Sequence, residues 1–416
     1  MKLFIGLDVS SQKLDTCFLT DSKEILFEES LSNDLIGASE IKQKLLEYDE
    51  TYGFKRIIIG MESTSVYSFH PSMFFYLDED LKKLPVDVTV ENPYRIKQYS
   101  KMFDQDKTDK IDARAIADYL RVDLHTLSPM KEEVYVGLQR LTRSRYQLVT
   151  QMVEAKQHFL DNLSYKCNTL SKELAIETNA TSIFGSTIMN LLTEDITLDE
   201  FAEMPLEEAA AFLQKLGRGR FKNPDQLAKS IKKAVRSSYR LGKVAKESVD
   251  LVLGIIANEI KFLKQQIKEI EKAIISLLEV IPEAQCLLSV PGLGPIYTAG
   301  LLAEIGQIDR FSDQAKLAKY AGLTWTKKQS GNAQSENTPL SRSGNRYFRY
   351  YLIEATNRVR IALPEFKEYY QKKKREVPKH QHKRALVLTG RKFVRLIDVL
   401  LRNGRLYQPT KVVIEK

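Results

Sequence analysis

Hydrophobic positions along this chain follow two different rhythms. In the first part they come in short runs: residues 3–9 are almost continuously apolar, and residues 14–20 and 24–29 follow after brief polar turns. Residues 56–60 and 86–90 are further runs rich in β-branched side chains. Runs of this length between turn residues predict strands. Between them, residues 36–48 and about 66–77 have helical spacing, and another helix begins near residue 108. From about residue 132 the strand signals stop and long polar helices take over. The clearest carries Val249, Leu253, Ile256, Ile260, Leu263, Ile267, Ile270, Ile274, Leu277 and Ile281, in unbroken steps of four and three up to the stop at Pro282.

These patterns predict an α/β domain followed by α-helical regions. Three strands joined by short turns, then strand, helix, strand and helix, is the order of a ribonuclease H-like domain, a mixed sheet covered by helices, over residues 1–130. Residues 131–283 read as a long helical coiled-coil arm, in which residues 138–170 supply an antiparallel partner for the seam and a small helical insertion lies between about 179 and 240. A seam packed on an ordinary bundle is the alternative. Residues 284–416 form a third, mostly helical region. It opens with a helix, the turn Pro291-Gly292-Leu293-Gly294-Pro295 and a second apolar helix, the pattern of a helix-hairpin-helix. A Gly- and Ser-rich loop at 327–344 and a basic helical tail follow.

At 416 residues the chain has room for two or three cores. No apolar run reaches the length of a membrane span, and the N-terminus runs straight into a strand pattern, so a soluble cytoplasmic protein without a leader is expected. Cys17, Cys167 and Cys286 lack metal-ligand spacing and read as core thiols of a reducing compartment. The net charge of +9 is uneven: residues 281–416 hold about 25 Lys and Arg against about 11 acids, near +14, which leaves about −5 for the rest. A basic C-terminal part beside an acidic remainder suits a polyanion-binding surface next to a cation-dependent site.

The acids that could form such a site sit where elements begin or end. Asp8 closes the first strand run, in IGLDVS, and Glu62 follows IIIG, in GMEST. Asp109 and Asp112 are three residues apart in KTDKIDARAIADYL, on one face of a helix's first turn. Four such carboxylates could hold a pair of Mg²⁺ ions, and two ions would stabilise the attacking and leaving oxygens of a phosphodiester displacement. Asp15, Asp104, Asp106 and Asp118 compete for the role. In the C-terminal region Gly292 and Gly294 would let backbone N–H groups approach a phosphate. Ser330, followed by glycine and preceded by Lys327 and Lys328, is an accessible hydroxyl beside cations, with Ser335, Ser341 and Ser343 as rivals. Arg342, Arg346 and Arg349 recur at helical spacing and would clamp a phosphate backbone, while Tyr347, Phe348 and Tyr350 pack inward.

The ordered motifs IGLDVS, MEST, NPYRIKQYSK, KTDKIDARAIA, SVPGLGPIYTAGLLAEIG, RFSDQAKLAKYAGL, QSG and SGNRYFR resemble those of the DEDD transposases of the insertion-sequence one-ten family, the bridge-RNA-guided recombinases. The resemblance covers about residues 1–130 and 285–360. It implies a RuvC-like first domain whose four acids are Asp8, Glu62, Asp109 and Asp112, and a nucleophilic serine at Ser330. Trp325 stands where the family pattern has a proline. The resemblance further implies a covalent serine–DNA intermediate assisted by Mg²⁺, donor and target DNA as substrates, a structured bridge RNA as guide, and a homo-oligomer, dimer or tetramer, whose active sites are shared between protomers. Two other readings remain open: a resolvase-like nuclease that uses metal alone, with Ser330 structural, and an architectural nucleic-acid binder with a degenerate acidic site.

Overall fold

In a computed structural model of the chain, the described residues are 1–64, 66–103, 109–125, 131–177, 182–193, 196–325, 329–330, 333–334, 340–341 and 343–409. They divide into two compact units, Met1–Glu132 with Gln307–Ser312, and Glu133–Gly306 with Asp313–Lys416.

The first unit is a mixed α/β structure, as its strand and helix rhythm predicts. Its strands are β1 (Lys2–Val9), β2 (Lys13–Thr20), β3 (Ile25–Ser32), β4 (Arg56–Glu62) and β5 (Val86–Glu91), hydrogen-bonded in the order β3-β2-β1-β4-β5. The first three pair antiparallel through short turns; β1, β4 and β5 run parallel. The crossovers carry α1 (Leu35–Tyr52) and α2 (Phe69–Leu77), and α3 (Pro93–Ser100) and α4 (Asp109–Arg121) follow β5. The apolar run of β1 is continuous because both of its faces are covered. Leu3, Ile5 and Leu7 share a core with Ile41 and Leu45 of α1 and Phe75 of α2. On the other face Phe4 packs with Ile58, Ile96, Ile116 and Leu120. Asp34 caps α1 by accepting from the Gly37 N–H at 2.9 Å, and Gly53, at φ 56°, ends it.

The second unit is almost wholly helical. Its longest elements are α5 (Glu133–Cys167) and α11 (Lys243–Leu278), and between them in sequence lie α6 (Leu170–Glu177), α7 (Ser186–Thr193), α8 (Leu198–Glu203), α9 (Leu206–Leu216) and α10 (Pro224–Ser237). The two long helices pack side by side, and ion pairs of Arg145 with Glu271 at 2.7 Å and of Lys166 with Asp250 at 2.8 Å fix them as antiparallel. The predicted seam is the face of α11 that meets this core: Leu253, Ile260, Leu263, Ile267 and Ile274 are buried, joined by Ala257 and Leu278. The short helices close over Phe159, Phe201, Leu213, Ile231 and Leu253.

After Pro282 come α12 (Ala284–Leu288), α13 (Pro295–Ile305) and α14 (Gln314–Tyr320). Two-residue strands β6 (Gln329–Ser330) and β7 (Ala333–Gln334) follow, then α15 (Arg346–Ala362), α16 (Pro364–Arg375) and α17 (Gln381–Arg402). Gly300 of α13 lies against the Tyr351 ring of α15, where a Cβ would come within 2.2 Å of it. Glu304 of α13, fully buried, accepts from Arg143 at 2.7 and 2.9 Å, from Gln139 at 3.0 Å and from the Asn345 side chain at 2.7 Å. Asn345 in turn caps α15, so a single carboxylate ties α5 and α13 to the start of α15. No helix among the described residues is long and apolar enough to cross a membrane.

Candidate functional site

Asp8 is the seventh residue of β1 and Glu62 the last of β4. The parallel register pairs Gly6 with Gly60 and Leu7 with Met61, so the two acids lie side by side one step further, at the carboxyl ends of neighbouring strands. The register continues outwards, with Asp8 opposite Asp15 on β2 and Glu62 opposite Glu91 on β5. Four carboxylates therefore form a row across the sheet. Side chains alternate along a strand, so residue 8 lies on the face of Phe4 and Gly6, and residue 62 on the face of Ile58 and Gly60. That is the face α4 covers.

Glycine makes this cover possible. A Cβ on Gly6 would lie 2.2 Å from the Ala113 carbonyl oxygen and 2.5 Å from the Ala117 nitrogen; one on Gly60 would meet the Leu120 side chain at 2.6 Å. With both positions bare, α4 rests directly on β1 and β4. Asp109 and Asp112 occupy its first turn, Asp112 being the residue before Ala113. Arg114 holds the same helix to the sheet edge through Glu28 of β3, with Nη2 at 2.6 Å from the carboxylate.

Asp8, Glu62 and Asp112 are half-buried. Among the described residues no three Asp, Glu, His or Cys side chains stand close enough together to hold a metal ion; the Asp109 side chain lies outside them. What the fold supplies is the donor type and the placement: hard carboxylate oxygens on one sheet edge and the facing helix turn, the chemistry a divalent cation such as Mg²⁺ takes.

The competing acids separate. Asp118 accepts from the Tyr99 hydroxyl at 2.6 Å and pairs with Arg121 at 2.7 Å. Burial alone would raise its pKa, but the Tyr99 and Arg121 bonds outweigh that and hold it below the ordinary aspartate value. Asp104 and Asp106 lie outside the described residues. Glu91 escaped the sequence reading, although it ends its strand as Glu62 does. It is buried, accepts from Thr89 Oγ1 at 2.9 Å, and raises the pKa of Tyr119 together with that ring's burial.

In the second unit Ser330 pairs with Ala333 and Gln329 with Gln334, an antiparallel hairpin whose base is marked by the Trp325–Leu340 bridge. The Ser330 side chain lies outside the described residues, as do Lys327, Lys328, Arg342 and Ser335. The hairpin is anchored on both sides. Arg391 donates to the Leu323 carbonyl at 2.6 Å and lies over the Trp325 ring, and the Ser341 N–H donates to Thr324 at 2.7 Å.

Of the three arginines, Arg342 lies outside the described residues, and the other two have different partners. Arg346 is exposed and bonds the Tyr347 hydroxyl at 2.8 Å, whereas Arg349 donates to the Ala321 carbonyl at 3.1 Å and so caps the end of α14. Phe348 is fully buried, and Tyr347 and Tyr350 pack edge-on to Tyr146 of α5, inward as expected. The two glycines of the 291–295 turn also differ. Gly292, at φ 87°, leaves room for Arg358 and Ala362 of α15, where a Cβ would come within 3.0 and 2.9 Å; Gly294 faces open space at the N-terminus of α13.

Two family profiles match the chain. One, described as a transposase of the IS110 DEDD type, covers residues 5–167, and the other, described as the transposase IS116/IS110/IS902 family, covers residues 284–371. The 44.8 kDa protein of insertion element IS116 from Streptomyces clavuligerus is 27% identical over 74% of each chain. The 43.6 kDa protein of insertion element IS110 from Streptomyces coelicolor is 30% identical over 39% of each, and the 42 kDa protein of insertion element IS900 from Mycobacterium paratuberculosis is 27% identical over 73% of each.

Proposed function

Because the chain belongs to the IS110 family of DEDD transposases, enzymes that act on DNA and depend on divalent metal, we propose that it cuts and rejoins DNA through a serine ester. The first domain is RuvC-like in this reading. Asp8, Glu62, Asp109 and Asp112 hold Mg²⁺, one ion or two, and Ser330 is the nucleophile. The observation that carries the reading is the row of carboxylates ending β1 and β4 beneath the first turn of α4.

The bound cation would polarise the phosphate and offset charge on the departing oxygen. The Ser330 oxygen attacks phosphorus and loses its proton; one P–O bond forms as the bond to a deoxyribose oxygen breaks, and that oxygen takes up a proton. The phosphoserine ester keeps the bond energy, so attack by a second DNA hydroxyl reverses the step and joins the strands. Arg346, exposed on α15, and the open space at Gly294, where α13 begins, support phosphate contacts. Donor and target DNA are the substrates. A bridge RNA guides the enzyme by pairing with both, held by shape and phosphate contacts. The working form is a homo-oligomer.

A suicide DNA substrate tests the serine step. Wild-type protein should be trapped on one strand, with the link mapped to Lys327–Gly331, and Ser330→Ala should form no adduct while still binding DNA. Trapping at Ser341 or Ser343 moves the residue and keeps the mechanism. Metal-dependent cleavage without any adduct replaces it with a nuclease that uses metal alone.

A further inference from the structure

The helical segment between α5 and α11 carries charge that the balance of the two halves hides. Residues 215–246 hold eleven Lys and Arg and one acid, Asp225. Neither family profile spans residues 168–283, and the serine and metal chemistry uses none of them.

The charge is ordered by the fold. Lys229, Lys232, Lys233 and Arg236 recur on α10 at helical spacing, a line about 10 Å long on one face. Together with Ser237 they line an open groove of about 570 Å³. Lys232 is buried and donates to the Ala202 carbonyl at 3.0 Å and to that of Met204, which sets the floor of the groove. Lys233 pairs with Glu173 at 2.7 Å, and Lys229 and Arg236 are exposed. With Lys233 paired to Glu173 and Lys232 in the floor, Lys229 and Arg236 supply the exposed positive charge of the groove, which suits phosphates.

A second cavity of about 490 Å³ lies beside the last turn of α10. Cys167, Leu192, Val235 and Val249 give it apolar walls. Its charges largely cancel, since Lys166 pairs with Asp250 at 2.8 Å, and Lys246, at 2.8 Å, and Arg240 both pair with Asp199. With apolar walls and a rim whose carboxylates are both already ion-paired, a flat, neutral ring with hydrogen-bonding edges fits the cavity. Tyr239, 86% exposed, stands at the mouth.

We propose that this segment binds a single-stranded stretch of nucleic acid, with phosphates along the Lys229–Arg236 face and one unpaired base stacked on Tyr239 into the neighbouring cavity. An aromatic platform beside a basic track is the arrangement that single strands use, and a duplex cannot offer a free base to it. The assignment does not depend on the serine mechanism.

Photo-crosslinking of the full-length protein tests it, with short RNA and DNA single strands carrying 4-thiouridine or 4-thiothymidine and the matching duplexes. Peptide mapping separates this segment from other nucleic-acid contacts of the chain. Cross-links within residues 222–246 are expected with single strands; RNA alone or DNA alone would identify the source, and either supports the site. Tyr239→Ala should cut the cross-link yield there about tenfold. The triple variant Lys229→Gln, Lys233→Gln, Arg236→Gln should weaken the salt dependence of single-strand binding by about two charges' worth of slope. The charge-keeping set Lys229→Arg, Lys233→Arg, Arg236→Lys should retain the wild-type yield. Cross-links from duplex alone, none in this segment, or a yield untouched by Tyr239→Ala would overturn the proposal.

Discussion

At the scale of single residues, a missing side chain matters as much as any carboxylate. Gly6→Ala would push a methyl group into the Ala113 carbonyl, and backbone cannot rotate aside as a flexible side chain can. The expected cost is about 1–3 kcal/mol of stability. Because α4 must lift from β1, strand cleavage should fall further than that loss predicts, which a thermal melt beside a cleavage assay will show. Asp8→Ala and Glu62→Ala should each lower cleavage by orders of magnitude and leave the melt and DNA binding near wild type; an active Asp8→Ala enzyme would remove these acids from the chemistry. Cys17 gives a control of another kind. Burial first, and Glu28 next, push its thiol up to about 12, so at neutral pH it stays protonated. A thiol reagent should modify it only after the first unit unfolds.

At the scale of elements, contacts of helices distant in sequence decide how a pattern is used. The α11 seam is legible from its spacing alone, but its burial against a core that includes α5 is a property of the folded chain. Ile260→Asp is therefore expected to act as a folding mutation and cost several kcal/mol, seen as a lower urea midpoint in the isolated, nucleic-acid-free protein. Glu304 is the polar counterpart. Removing it leaves the partly buried Arg143, Gln139 and Asn345 without a common acceptor, and Glu304→Ala should destabilise by about 3–5 kcal/mol, the usual loss when one member of a buried pair is deleted. Its effect on recombination should track the fraction folded. Arg349 teaches the same lesson: helical spacing groups it with Arg346, and in the fold one of its N–H groups bonds the Ala321 carbonyl at the end of α14.

At the scale of the whole molecule, cation binding and covalent chemistry should separate by unit. Millimolar Mg²⁺ that occupies the acids raises the melting temperature by mass action, by a few degrees when well above its dissociation constant. Asp8→Ala should lose that shift and Ser330→Ala should keep it; a shift that survives Asp8→Ala would place the ion elsewhere. Local pattern determined much of this protein: the strand runs, the acids that close them, the seam and its stop at Pro282. It did so because apolar periodicity and turn residues are properties of neighbours in the chain. What only the tertiary structure decided depends on residues far apart in sequence. The parallel pairing of β1 with β4 sets Asp8 beside Glu62 and brings Glu91 into the same row. Direct packing of α4 on Gly6 and Gly60 puts Asp112 over that face, and Asp118 meets Tyr99 and Arg121 instead. A carboxylate in a sequence carries its charge but not its partner, and whether it meets a hydroxyl, an arginine or another acid is fixed only when the chain closes on itself.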